Sequence, residues 1–406
     1  MSAKKPNLWW GPPRNFDERK SERKISWLEL FFDLVYVAAI SQLTQHFAAH
    51  PSWSVLGFGF LIFSLIFWSW VNGSQYYDLH GSDSIRTRLF TFLQMIAVAA
   101  VTITVEDAFN GYHKAFAITF AAIQIIITYL WWSVGLYDPS HRVFNKFYTF
   151  NYIISFILLI VSAFLNYHIA VVLWIVVLVL DLTPSLTGAR TVVRVLKQRG
   201  QVFSASAALV ERFGLFTIIV LTESILGTVT GIVEVKDQHP IAWMAFIIGI
   251  LIAFLLWCIY FDMTSEQETK KGYSYLQWFI FLHFPLLASL GVVGASIKII
   301  LSDIESGVPM LVQWMFCSAI AIILLMIVFI AAIMEEEEED RAYIKPVSRL
   351  LVIIACIVLL VPLLGGYLSA IVFLSIIAVL LFIPVFVGIK SWVRYKFFSG
   401  VTSRET

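Results

Sequence analysis

Charged residues are scarce: Asp, Glu, Lys and Arg make up 14% of the 406 residues, against roughly 25% in an ordinary soluble domain. With 59% of the chain apolar and a mean hydropathy of +0.83, a soluble monomer is excluded. Neither sign of charge dominates, since 28 Lys and Arg against 27 Asp and Glu leave +1. No nucleic-acid partner is expected, because phosphate recognition needs a concentrated basic face. Cysteine is almost missing as well. Cys258, Cys317 and Cys356 lie inside apolar runs without CxxC or Cys/His spacing, so they read as small packing residues and no metal site is expected.

Other absences narrow the chemistry. No GxGxxG, Walker A, HExxH, GxSxG or CxxCH motif occurs, which removes sequence support for nucleotide, zinc, serine-hydrolase or c-haem chemistry and leaves no cofactor implied. The loops are too short for the soluble domain of an ATP-driven pump. Residues 1–24 are mostly polar and basic and do not form a cleavable signal peptide, so Ile25 onward is expected to act as a signal anchor.

What the chain has is long apolar runs. Twelve can be marked, near 25–48, 53–75, 86–105, 113–136, 146–166, 168–186, 205–228, 240–262, 275–297, 310–333, 348–365 and 367–389. Each is long enough to cross a ~30 Å hydrocarbon layer as a helix. The expected fold is an all-α polytopic membrane protein of about twelve transmembrane helices, with the lipid bilayer as its first partner. Ten spans is the alternative if 146–186 or 348–389 forms a re-entrant pair, because the turns at Asn166 to His168 and Gly365-Gly366 are very short. With the N-terminus in the cytoplasm, 24 Lys and Arg fall in or beside the cytoplasmic loops and three (Lys114, Lys236, Lys298) outside. Under the positive-inside rule this places both termini in the cytoplasm. The fourteen Trp and fifteen Tyr suit interfacial belts, and the acidic run from Glu335 to Asp340 reads as a solvated helix end.

Two halves can be laid over one another. Glu29 to Ser41 of the first span matches Glu211 to Glu223 of the seventh at an offset of 182, while Phe90 to Gln94 over Phe279 to His283, and Trp68 over Trp257, share an offset of 189. Six spans per half would make these parallel repeats about an axis along the membrane normal. The expected organisation is a basic cytoplasmic segment (1–24), a first six-helix half (25–199), a second (200–390) and a cytoplasmic tail (391–406).

The most informative motif opens the first span, where Glu29 and Asp33 interrupt a run of aromatic and aliphatic residues. Four residues apart, they share one helix face about 40° apart and roughly 6 Å along the axis. An ionised acid costs ~2.5–3.5 kcal/mol or more inside the bilayer unless partnered or wet, and such residues usually mark ion or proton pathways. The structural alternative is that Asp33 binds Arg212 and locks two helices together. The seventh span adds Glu211, Arg212 and Glu223. Arg212 and Glu223 lie roughly 16 Å apart along a helix and cannot pair directly, so Glu223 is expected as a proton or cation carrier. Path-lining candidates are His283 in front of Pro285, Gln94, Asn72, Asp262 and Asp181, the last because a break of the sixth helix at Pro184 would free carbonyls for a cation, although an ordinary proline kink is the favoured reading there.

Ser26 to Val37, Glu211-Arg212-Phe213 and Thr222-Glu223-Ser224-Ile225 together resemble the bacterial low temperature requirement protein A family, the E-x-F-F-D-L-x-[FY]-V opening being the most specific part. The resemblance implies a protein of the bacterial cytoplasmic (inner) membrane, named after a cold-growth phenotype. It marks Glu29, Asp33, Glu211, Arg212 and Glu223 as pattern positions and supplies no substrate. The leading expectation is a secondary transporter of an unknown small molecule or ion, coupled to protons or cations, whose acids meet in a hydrated pocket. A membrane-embedded enzyme or lipid-handling protein, and a membrane sensor or structural component, are the alternatives, and self-association into a homo-oligomer is compatible with each.

Overall fold

In lipid every backbone N–H and C=O must find its partner within the protein, and a long apolar run satisfies this locally by coiling into a helix. The computed structural model describes residues 11–14, 25–82, 84–137, 142–187, 205–235, 240–264, 267–305, 307–335 and 338–402. Most of the basic N-terminal segment and residues 403–406 lie outside them. The described helices, in chain order, are α1 (Trp27–Ala49), α2 (Trp53–His80), α3 (Ile85–Phe109), α4 (His113–Tyr137), α5 (Arg142–Ser162), α6 (Tyr167–Thr187), α7 (Ala207–Val233), α8 (Pro240–Thr264), α9 (Tyr273–Ser302), α10 (Met310–Ile333), α11 (Glu338–Leu360) and α12 (Ala370–Thr402). All twelve contain a stretch long and apolar enough to span a membrane. The alternative of ten spans is set aside. α5 and α6 are separate helices, and a 3-10 turn, Val361–Tyr367, with a proline in its first turn, divides α11 from α12.

The break at Pro184, the less favoured of the two readings, does not occur. α6 runs past Pro184 to Thr187 instead of breaking. Membrane helices tolerate proline because neighbours satisfy the backbone groups it disturbs; on the turn before Pro184 the indole Nε1 of Trp68 donates to the Asp181 carbonyl at 2.8 Å.

Two compact units divide the chain. The first comprises residues 1–46, 53–216 and 271–277, the second 47–52, 217–270 and 278–406. Within the first, α4 packs on α3 and α5, α5 on α6, and α2 on α4 and α6. Within the second, α10 packs on α11, and α12 on both α8 and α11. Outward positions carry large apolar side chains such as Ile103, Phe150, Ile247 and Phe382, suited to acyl chains. In the second unit small residues let backbones meet: a Cβ on Gly294 would lie 2.7 Å from the main-chain carbonyl of Glu223, and one on Gly227 would collide with the carbonyl oxygen of Gly294.

Candidate functional site

The start of α1 is fixed by reciprocal capping. Glu29 N donates to Ser26 Oγ, and Ser26 N donates back to Glu29 Oε1, both at 3.3 Å, while the Ser26 hydroxyl donates to the same carboxylate at 2.8 Å. This satisfies otherwise orphaned helix-start donors and holds Glu29 at one rotamer. One turn on, Asp33 lies fully buried.

Arg212, 1% exposed near the start of α7, bridges both acids. Its Nη2 donates to Asp33 Oδ1 at 2.7 Å and its Nε to Oδ1 and Oδ2 at 3.2 and 3.1 Å, while Nη1 reaches Glu29 Oε2 at 3.3 Å. The fork fits a carboxylate as a point-like ammonium could not. The indole Nε1 of Trp70 on α2 adds a 2.7 Å bond to Asp33 Oδ1. Aromatic faces enclose the charge, with the guanidinium carbon 5.4 Å from the Phe32 ring centre and 5.9 Å from that of Trp70. Trp70 is itself stacked on Phe216 at 4.0 Å. Three helices are therefore tied through one guanidinium and one indole.

A neutral chain continues from the acids. Tyr36, one turn beyond Phe32 and fully buried, accepts from Gln94 Nε2 at 3.1 Å and shares a 3.2 Å hydrogen bond with Ser69 Oγ. Gln94 comes this close because α2 offers Gly73, where a Cβ would sit 3.1 Å from both Gln94 Nε2 and Phe32 Cζ.

The remaining sequence candidates fall in different places. Glu211 is exposed, turned off the face that Arg212 presents. Glu223 is 5% exposed in the second unit, its main chain against Gly294. His283 is fully buried there; its Nδ1 faces the Phe279 carbonyl at 2.7 Å and so donates, leaving Nε2 to accept from the Tyr260 hydroxyl at 2.9 Å. Tyr260 in turn lines a small apolar cleft with Thr217, Leu221, Leu256 and Leu286. Asp262 is exposed at the end of α8. Asn72 donates to the Trp68 carbonyl at 3.0 Å and accepts from the Tyr152 hydroxyl. Asp181 is 6% exposed in the first unit.

The expectation of an open, hydrated pocket around the acids is not met. Asp33 and Arg212 are sealed, with 0% and 1% exposure, and Glu29 at 7% is the member nearest the surface. Sealing follows from the aromatic collar of Phe32, Trp70, Phe213 and Phe216. Tyr36 is the aromatic position of the E-x-F-F-D-L-x-[FY]-V opening, whereas Trp70 and Arg86 belong to no motif that the sequence offered. Tryptophan in mid-span, away from an interfacial belt, is the signal that could have marked Trp70. Arg86, tallied with the cytoplasmic loops, is 2% exposed, with its guanidinium on the hydroxyls of Tyr76 and Ser133.

A family model described as Bacterial low temperature requirement A protein (LtrA) matches residues 24–385, from the capping segment of α1 into α12. An uncharacterized protein of Rhizobium meliloti (strain 1021) is 26% identical over 286 residues, which cover 67% of this chain and 68% of that protein.

Proposed function

Because the chain belongs to the bacterial low temperature requirement A (LtrA) family and is an integral membrane protein of twelve apolar helices, we propose that it is a secondary transporter coupled to protons or cations. In this reading it sits in the bacterial inner membrane and is built from two parallel six-helix repeats. The observation that carries the reading is the division of one buried guanidinium between two carboxylates on successive turns of α1. A single buried ion pair that loses one partner leaves an uncompensated charge at a cost of about 3–5 kcal/mol. Here a proton arriving on Asp33 leaves Arg212 paired with Glu29, so the cluster can change its protonation without stranding a charge.

Closure of the cluster supports one end of an alternating-access cycle, with Glu29 as the group nearest the outside of the bundle. Proton uptake weakens the fork that joins α1 to α7 and frees the two helices to shift. Ionisable residues within spans are functional candidates for this reason.

The reading is tested by reconstituting the full chain into vesicles loaded with a pH-sensitive dye and adding a panel of inorganic ions, amino acids and organic acids. Solute-dependent proton movement, absent from protein-free vesicles, is the expected result. Vesicles in which no solute moves protons, and no proton gradient moves a solute, defeat it.

A further inference from the structure

Two of the buried aspartates in the first unit, Asp33 and Asp181, meet the same problem with opposite means. Asp33 lies against a guanidinium, with Arg212 Nη2 2.7 Å from its Oδ1. Asp181, on α6, has no such partner: among the described residues no cation pairs with it, and its contacts are neutral. Its Oδ1 accepts from the Ser155 hydroxyl of α5 at 2.7 Å and from Gln124 Nε2 of α4 at 3.1 Å. Trp68 of α2 donates to its main chain rather than its carboxyl group. Among the described residues, Tyr152 of α5 is an ionisable side chain in electrostatic reach, and its hydroxyl is engaged with Asn72. The residue is 6% exposed.

A carboxylate removed from water without a countercharge is strongly disfavoured, and the economical answer is to take up a proton. Two donors already occupy Oδ1, so the proton belongs on Oδ2, which accepts no hydrogen bond among the described residues. The same two donors temper the cost of ionisation, since hydrogen bonds to the charged form favour it. A proton also needs no cavity, which suits a closely packed cluster drawn from α2, α4, α5 and α6.

We propose that Asp181, with Ser155 and Gln124, is a reversible proton-binding site separate from the Arg212 cluster, held as the neutral acid at neutral pH. This does not depend on transport and stands or falls on the protonation state of one side chain.

The test is infrared spectroscopy of the full chain in lipid vesicles, comparing wild type with D181N and, in parallel, D33N. The expected result is a protonated-acid carbonyl band at neutral pH that is lost in D181N, kept in D33N, and replaced by carboxylate bands on alkaline titration. If the wild type instead loses carboxylate bands when Asp181 is replaced at neutral pH, the proposal is overturned. Should D181N fail to fold, S155A and Q124A serve: each removes a donor from the charged form, so the acid band should persist and its titration move to higher pH. An unmoved titration in both overturns it. Exchanging choline for sodium at neutral pH should leave the band intact, and its loss would reassign the site to a metal cation.

Discussion

Arg212 is the residue on which the α1–α7 contact turns, and its two acids are not equivalent. Asp33 has no surface exposure and takes three of the four guanidinium contacts, whereas Glu29 also serves the cap of its own helix. R212Q, which strands the buried Asp33 carboxylate, is expected to cost about 3–5 kcal/mol. D33N leaves Arg212 paired with Glu29 and should cost clearly less, the comparison being read from thermal unfolding of the two variants in the same detergent. Equal losses would mean that packing, not charge, holds the contact. Much of this site was legible because ionisable side chains in apolar spans are expensive and stand out, and Glu29, Asp33 and Arg212 did so. Glu211 stood out equally and is exposed, since adjacent helical residues point about 100° apart and a motif in one dimension does not say which face is turned inward. Trp70 was overlooked because tryptophan in a membrane chain is ordinarily an interfacial residue.

Close approach between helices is an element-scale property, and it centres on glycines in the second unit. Gly227 meets Gly294 backbone to backbone, and a Cβ on Gly231 would lie 2.9 Å from the Lys298 carbonyl. Just past the end of α7, Glu234 pairs with Lys298 of α9 at 3.1 Å. Membrane helices associate largely through such small-residue contacts. G227A and G294A are each expected to destabilise by about 1–3 kcal/mol through overpacking, while G57A, where nothing lies within 4 Å of the new methyl, should be neutral in the same unfolding assay. Most helix ends were readable from hydropathy to within about five residues, but α11 begins at Glu338, ahead of the span placed at 348–365, and α12 runs on to Thr402, past the span placed at 367–389. A break at Pro184 is the less favoured reading of the sequence and does not occur, since α6 continues to Thr187.

At the scale of the whole molecule the twelve spans follow from composition: so apolar a chain has few other ways to satisfy its backbone. Orientation rests on a different quantity, the 24 to three division of Lys and Arg between the two sets of loops. Single cysteines placed before Ile25, after residue 402 and beside Lys114, in a chain whose Cys258, Cys317 and Cys356 are replaced, should report it to an impermeant thiol reagent. Labelling of the Lys114 site alone in intact cells is expected, with both termini reacting only after lysis. Labelling of either terminus in intact cells would reverse the topology and put the Arg212 cluster at the other face. What composition could not reveal is the closure of that cluster, which depends on where Phe32, Trp70, Phe213 and Phe216 meet in space.

The most direct measurement is the pH dependence of solute-coupled proton flux in vesicles carrying wild type, E29Q, D33N or the double variant. With Arg212 shared between two acids, each single variant should remain folded but lose proton coupling, and the double variant should lose stability as well. Flux with the wild-type pH profile in both E29Q and D33N would contradict the account and leave the cluster as a fastener between helices.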